Sequence, residues 1–141
     1  MTNSFDLKIK KVFYPKDNLH LLSKEQLLDI VENGFIDYWQ ASKFICEKLG
    51  GKLPTMADLG KLASAIYEGN PSIGAKEDKY NLTYKPGTAT FLGLPELSFI
   101  LWSSEECGSS NAYSREFYPT YSYWLSYDRY DSDIQAVCLG D

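Results

Sequence analysis

The stretch "WQASKFICEKLGGKLPTMADLGKLA", residues 39–63, reads as two helices joined by a sharp break. Phe35, Tyr38, Ser42, Ile45 and Leu49 recur at helical spacing, with Trp39 and Cys46 beside that stripe, the pattern of a helix that buries one face. Gly50 and Gly51 stop it, because glycine accepts the left-handed backbone with which helices commonly end. Pro54 then breaks the chain. Thr55 follows as an N-cap, with Asp58 three residues on, so a side-chain oxygen can accept from the free N–H groups of the next first turn. Leu59, Leu62, Ala63, Ile66 and Tyr67 form the apolar stripe of that second helix.

Working outward, "FDLKIKKVFY" alternates apolar and polar residues and predicts a strand over residues 5–13, with Lys8, Lys10 and Lys11 on an exposed face. In "SKEQLLDIVENG", Ser23 and Gln26 make a capping-box pattern, and Gly34 is the expected stop of a helix. Residues 68–93 are rich in Gly, Pro and Asn and predict a long loop carrying one short strand at residues 89–92. "LSFILWSSEE" is a compact apolar run suited to a buried strand, and "IQAVCLGD" closes the chain as a last strand. Helices placed between an early strand and several late ones predict an α+β domain. With no internal repeat and no linker, residues 1–141 form one expected domain, with residues 1–34 as its N-terminal strand and helix.

Composition narrows the function classes. Apolar residues make up 44% and charged residues 23% of 141 residues, a globular balance. The net charge of −5 and the lack of a basic face argue against nucleic acid as a partner. No apolar run reaches the roughly 18 residues of a membrane span, and "MTNSFDLKIK" has no apolar signal-peptide core. That leaves an intracellular protein, a virion component, another export route, or a domain of a longer chain. Cys46, Cys107 and Cys138 form no Cys-x-x-Cys pair, and His20 is the single histidine, so no metal site is expected. Cys46 and Cys138 read equally as two buried thiols or as a bond between a helix and the last strand.

Catalytic constellations are thin. Ser103 and Ser104 lie far in sequence from His20, the only imidazole that could activate them. Glu105, Glu106 and Glu116 read as solvated acids near strand ends, and Cys107 has no neighbour that would lower its pKa. The late segment is different. Of the 28 residues from 107 to 134, six are Tyr, six Ser, three Asp and one Asn. Tyrosine supplies rigid amphipathic contact area, and the small polar residues supply adaptable hydrogen bonds, as in antibody binding loops. An ordinary tyrosine-rich sheet would account for the tyrosines but not for so much serine and aspartate. A binding surface is therefore expected.

The order "WQASKFICEKLGGKLPTMADLGKLA", "LWSSEE", "AYSREFY" and "QAVCLGD" resembles bacterial and viral C-type-lectin-fold domains, including relatives of the formylglycine-generating-enzyme fold. The resemblance covers residues 35–141. It implies a C-type-lectin-like α+β fold with two or three helices, a small, mostly antiparallel sheet and a long irregular C-terminal binding segment. The Tyr/Ser/Asp-rich end is similar to the variable proteins of diversity-generating retroelements, in which adenine-directed mutation of asparagine codons diversifies a ligand-contacting surface. On that reading the variable positions are Tyr118, Thr120, Tyr121, Ser122, Tyr123, Leu125, Ser126, Tyr127, Asp128, Tyr130, Asp131, Ser132 and Asp133, of which Tyr118, Tyr121, Tyr123, Tyr127 and Tyr130, with Ser122, Ser126, Asp128, Asp131 and Ser132, are expected to form one exposed face. Glu116, Trp124 and Gln135 cannot arise from those codons and are framework, with Trp124 as an anchor into the core. Arg115, Phe117 and Arg129 are grouped with them.

The implied partner is a protein or glycan on another cell or surface, with display on a cell surface or virion. The calcium motifs of sugar-binding lectins and the closely spaced copper-binding cysteines of the oxidases have no match here, so neither activity is implied and no cofactor is expected. Two other readings remain: a fixed-sequence adhesin or pilus-associated domain, and an oxidase-type enzyme dependent on Cys107 and Cys138.

Overall fold

The computed structural model describes residues 8, 9 and 11–140. The architecture is α+β. In chain order the elements are β1 (Lys8–Ile9), α1 (Lys24–Asp29), β2 (Val31–Glu32), β3 (Phe35–Ile36), α2 (Tyr38–Lys48), α3 (Met56–Ile66), β4 (Lys79–Tyr80), α4 (Thr88–Leu92), β5 (Phe99–Cys107), β6 (Asn111–Phe117), β7 (Tyr121–Asp128) and β8 (Leu139–Gly140). The main sheet is antiparallel in the order β4-β7-β6-β5. β1 pairs with β8, and β2 with β3.

The two central helices form where their caps and stripes require. Asp37 caps α2 by accepting from the Gln40 N–H at 2.8 Å. Thr55 and Asp58 form a reciprocal capping box on α3, and the Glu105 carboxylate accepts the Met56 N–H at 2.7 Å. α3 buries Leu59, Leu62, Ala63 and Ile66 against Phe99, Leu101 and Phe117 of the sheet. Each large side chain so buried contributes about 1.5–3 kcal/mol relative to exposure. α2 covers the other side of the fold with Trp39 and Cys46, against Trp102, Ala112, Ile134, Ala136 and Cys138. The Trp39 indole N–H donates to Ser103 O at 2.7 Å. Cys46 and Cys138 are joined by a disulfide, with their Cα atoms 5.2 Å apart.

Gly50 and Gly51 act differently. Gly50 has φ +78° and ends α2. At Gly51 a Cβ would lie 2.5 Å from Leu139 O, so its bare backbone lets the chain lie against β8. There Lys52 and Leu139 exchange hydrogen bonds of 2.9 and 2.7 Å.

Four expectations change. The 5–13 strand is short: β1 is Lys8–Ile9, and residues 5–7 and 10 lie outside the described residues. Gly34 does not stop a helix. α1 ends at Asp29, and Asn33 (φ 51°) with Gly34 (φ 82°) turns a hairpin between β2 and β3, since two successive positive φ values match the twist of paired strands. Phe35 consequently lies in β3 and is exposed, and the face of α2 that packs inward is Trp39, Ala41, Ser42, Ile45 and Cys46. Residues 89–92 are helical rather than extended: α4 sits between Gly87 and Gly93, both left-handed, with Thr88 Oγ1 donating to Lys85 O at 2.8 Å.

Residues ahead of α2 pack onto the rest of the chain. Leu22 and Ile30 pack with Ala41 and Ile45 of α2, and Val12 belongs to the core under α3. Among the described residues no helix is long and apolar enough to cross a membrane.

Candidate functional site

The late Tyr/Ser segment is regular. β6 and β7 form a continuous ladder from Phe117 paired with Ser122 to Asn111 paired with Asp128, around the turn at Pro119 and Thr120. The expected irregular segment is thus confined to residues beyond Asp128. Directly opposed residues share a face, and successive residues alternate. One face of β7 carries Tyr121, Tyr123, Leu125 and Tyr127. The other carries Ser122, Trp124, Ser126 and Asp128.

The ten residues expected to form one exposed face are therefore divided between two. Ser122 is buried and structural: its hydroxyl accepts from Arg115 Nη1 at 3.0 Å and donates to Glu116 O at 2.7 Å. Arg115, also fully buried, donates to Gly74 O at 3.2 Å and Glu77 O at 2.7 Å, tying residues 74–77 to the sheet. Burial lowers its pKa from the ordinary arginine value. Trp124 is half-buried and packs against the core under α3, as an anchor of the segment should. Its ring lies 5.9 Å from that of Tyr113, with Lys76 over both, and its backbone N–H donates to Asp78 Oδ1 at 3.2 Å. Ser126 is half-buried and Asp128 exposed.

The opposite face gathers the tyrosines. Its lower part, with Trp102, Ala112 and Tyr127, is covered by Ile134, Ala136 and α2. Its upper part is an aromatic ladder: Tyr80 on Tyr121 at 6.2 Å, Tyr121 on Tyr118 at 4.7 Å and on Tyr123 at 5.7 Å, and Tyr118 near Tyr123 at 5.9 Å. Tyr80 is 60% exposed, and Tyr118, Tyr121, Tyr123 and Tyr127 are half-buried. Tyr80, on the short edge strand β4, was not among the expected residues. It stood in a stretch that reads as loop, and only the β4–β7 pairing brings it here.

A second unanticipated residue lies beneath the rings. Glu116 is not a solvated acid; it is 4% exposed and opposite Tyr123 in the ladder. Tyr118 donates its hydroxyl to Glu116 Oε1 at 2.7 Å, and the Tyr123 and Tyr127 hydroxyls also reach this carboxylate. Burial first, and then the nearby Glu116 carboxylate, raises the phenol pKa values of Tyr118, Tyr123 and Tyr127. These hydroxyls remain protonated donors at neutral pH.

The turn below the rings is braced. Tyr67 places its hydroxyl 2.7 Å from Tyr118 O and 3.2 Å from Tyr121 O, and stacks on Tyr84 at 4.7 Å. Burial pushes the Tyr67 phenol up to about 12. Leu82 N–H donates to Thr120 O at 2.8 Å.

The remaining candidates form a separate patch. Asp128, Tyr130 and Asp131 line a cavity of about 470 Å³ with Phe35, whose ring lies 5.6 Å from that of Tyr130. Tyr130 OH donates to Glu32 at 3.0 Å. Ser132 is half-buried, and Asp133 is exposed beside Lys16 at 3.8 Å. Between the two patches, Arg129 is ion-paired to Asp37 and lies 4.5 Å over the Trp39 ring. Gln135 is buried and donates its N–H to Ile100 O at 2.8 Å, while Phe117 stacks on Phe99 at 4.6 Å. Cys107 is a half-buried free thiol. No group of three or more His, Cys, Asp or Glu among the described residues could hold a metal ion.

Comparison with protein-family models, with curated proteins and with solved structures finds no match for this chain.

Proposed function

We propose that this chain is a ligand-binding domain of C-type-lectin-like fold, and not an enzyme, whose contact surface is the tyrosine face of β7 and the adjoining 128–133 loop. The observation that carries the reading is the contiguous ladder of Tyr80, Tyr121, Tyr118 and Tyr123, whose rings stay partly open on a sheet braced from behind. Tyrosines held this way offer large contact area with little side-chain entropy left to lose, so a modest interface can bind usefully. The helix, Gly-Gly break, helix order and the antiparallel late strands support the lectin-like assignment. The ligand is a protein or glycan presented on another surface.

Within this reading the surface is one that retroelement mutagenesis diversifies. Tyr118, Tyr121, Tyr123, Leu125, Tyr127, Asp128, Tyr130 and Asp131 are its contact positions, and Ser122 belongs to the framework because it is buried between Arg115 and Glu116. Binding is tested by screening the protein against glycan and cell-surface protein arrays and repeating any hit with Tyr121→Ser and Tyr123→Ser. Buried-centre tyrosines behave as hot spots, so each substitution is expected to weaken binding at least about tenfold. Undiminished binding by both variants contradicts the reading. Diversification is tested at the locus: a neighbouring reverse transcriptase gene and an imperfect repeat differing at adenines support it. A segment invariant across strains makes the domain a fixed adhesin.

A further inference from the structure

We propose that two copies of this chain pair edge to edge through β7, antiparallel, about a twofold axis at Ser126. The strand β4 covers the outer edge of β7 only at Tyr121 and Ser122. Among the described residues no strand lies outside residues 123–128, and an open edge is a template for another strand. Ladder parity fixes which groups are open, because alternate residues of an antiparallel strand turn their backbone groups to each side. Tyr118 N–H donates to Tyr121 O and Arg129 N–H to Ser110 O, so the odd-numbered residues face β6 and the even-numbered ones face outward. Two outward groups are already satisfied: Trp124 N–H donates to Asp78 Oδ1 at 3.2 Å, and Asp128 O accepts from Asp131 N–H at 3.0 Å. Trp124 O, Ser126 N–H, Ser126 O and Asp128 N–H have no partner among the described residues.

That set is its own complement, which selects a second copy over an unrelated strand. With Ser126 opposite Ser126, the two serines exchange N–H···O bonds, and each Asp128 N–H donates to Trp124 O of the other copy. The two groups this register would leave over at its ends are Trp124 N–H and Asp128 O, the same two that the chain already satisfies. Such a contact is isologous and closes at two copies. The side chains agree with it. The register sets Leu125 beside Tyr127 of the other copy, and Leu125, half-buried, packs in none of the core clusters of the described residues. It also sets Trp124 beside the exposed Asp128 of the other copy. Lys76 lies 5.5 Å over the Trp124 ring and has no ion pair among the described residues, so an ammonium meets that carboxylate at both ends of the contact. The axis stands perpendicular to the sheet, so both tyrosine faces lie on one side. The pairing does not depend on that face binding anything; where it binds, the dimer engages a surface bivalently.

Sedimentation equilibrium across protein concentrations tests the pairing, with residue-resolved amide hydrogen exchange on the same samples. The contact is short, so the expected dissociation constant is on the order of tens of micromolar. The Ser126 and Asp128 amides should gain protection as concentration rises through that value, while the Trp124 amide, already held by Asp78, should not. Ser126→Pro removes an outward N–H, which an edge position tolerates, and should abolish the dimer while the monomer stays folded. Lys76→Glu sets a carboxylate against Asp128 twice over and should weaken the dimer about tenfold, and adding Asp128→Lys should restore it. A protein that stays monomeric to about 1 mM overturns the proposal, even where an added extended peptide then protects the Ser126 amide. A dimer that shows no concentration-dependent protection at Ser126, or that survives Ser126→Pro, overturns it as well. Should Ser126→Pro fail to fold, the wild-type exchange and the Lys76–Asp128 charge swap decide.

Discussion

Replacing Ser122 with alanine separates a locked position from an unconstrained one on the same face of one strand. The hydroxyl accepts from a buried guanidinium at 3.0 Å and donates to Glu116 O at 2.7 Å. Hydrogen bonds to charged groups contribute about 1.5–3 kcal/mol, a neutral one about 1, and a buried donor left unsatisfied costs a comparable amount. Ser122→Ala is therefore expected to lose roughly 3 kcal/mol. For 141 residues the unfolding entropy is about 300 cal/mol/K, so Tm should fall by about 10 °C. Ser126, four residues on and on the same face, is half-buried and makes no side-chain hydrogen bond among the described residues, so Ser126→Ala should stay within about 2 °C of the parent. Circular-dichroism melts of the two variants decide the matter. Equal Tm values for both would refute the claim that Ser122 is locked into the fold.

Three further outcomes follow from the packing. The disulfide spans a sequence separation of 92, so Cys46→Ala with Cys138→Ala should cost roughly 4–5 kcal/mol in the chain-entropy model, seen as a large calorimetric Tm drop that Cys107→Ala does not produce. Gly51→Ala drives a Cβ to 2.5 Å from Leu139 O and should destabilise by about 1–3 kcal/mol in urea unfolding, whereas Gly51→Ala with unchanged midpoint would show that β8 does not lie against it. The folded-state Tyr67 pKa of about 12 lies above the ordinary 10.0, so the folded state holds that proton more tightly. The resulting stability is full below pH 10 and falls by roughly 2–3 kcal/mol as pH rises from 10 to about 12, and Tyr67→Phe should flatten part of that slope in alkaline melts.

How much of this was legible varied with how many local signals agreed. Around α3 a proline, an N-cap and a stripe at period 3.6 all indicate the same helix, and the helix is there. At residues 33–34 the same glycine that can stop a helix also completes an Asn-Gly hairpin turn, and pairing of Val31 with Ile36 decided between them. α4 is short, with two threonines in "TATFL", residues that favour strands; flanking left-handed glycines and the Thr88 hydrogen bond override that preference. In the late segment, composition pointed to a surface but alternation was needed to divide it. "EFYPTYSY" has Glu116 and Tyr118 two apart, a Pro-Thr turn, then Tyr121 and Tyr123 two apart. A hairpin there sets Glu116 opposite Tyr123 and Ser122 opposite Phe117. Tyr80 carried no such local signal, because its place depends on a strand pairing more than 40 residues away in sequence.

The claim that this face binds is tested most directly by one comparison. The affinity of an array-identified ligand is measured by calorimetry for the parent, for Tyr121→Ser with Tyr123→Ser, and for Leu28→Ser on the exposed side of α1. The account predicts at least about a tenfold loss for the tyrosine pair, with the α1 variant equal to the parent. A ligand whose affinity is unchanged by the tyrosine pair, or is lost only through α1, would contradict it.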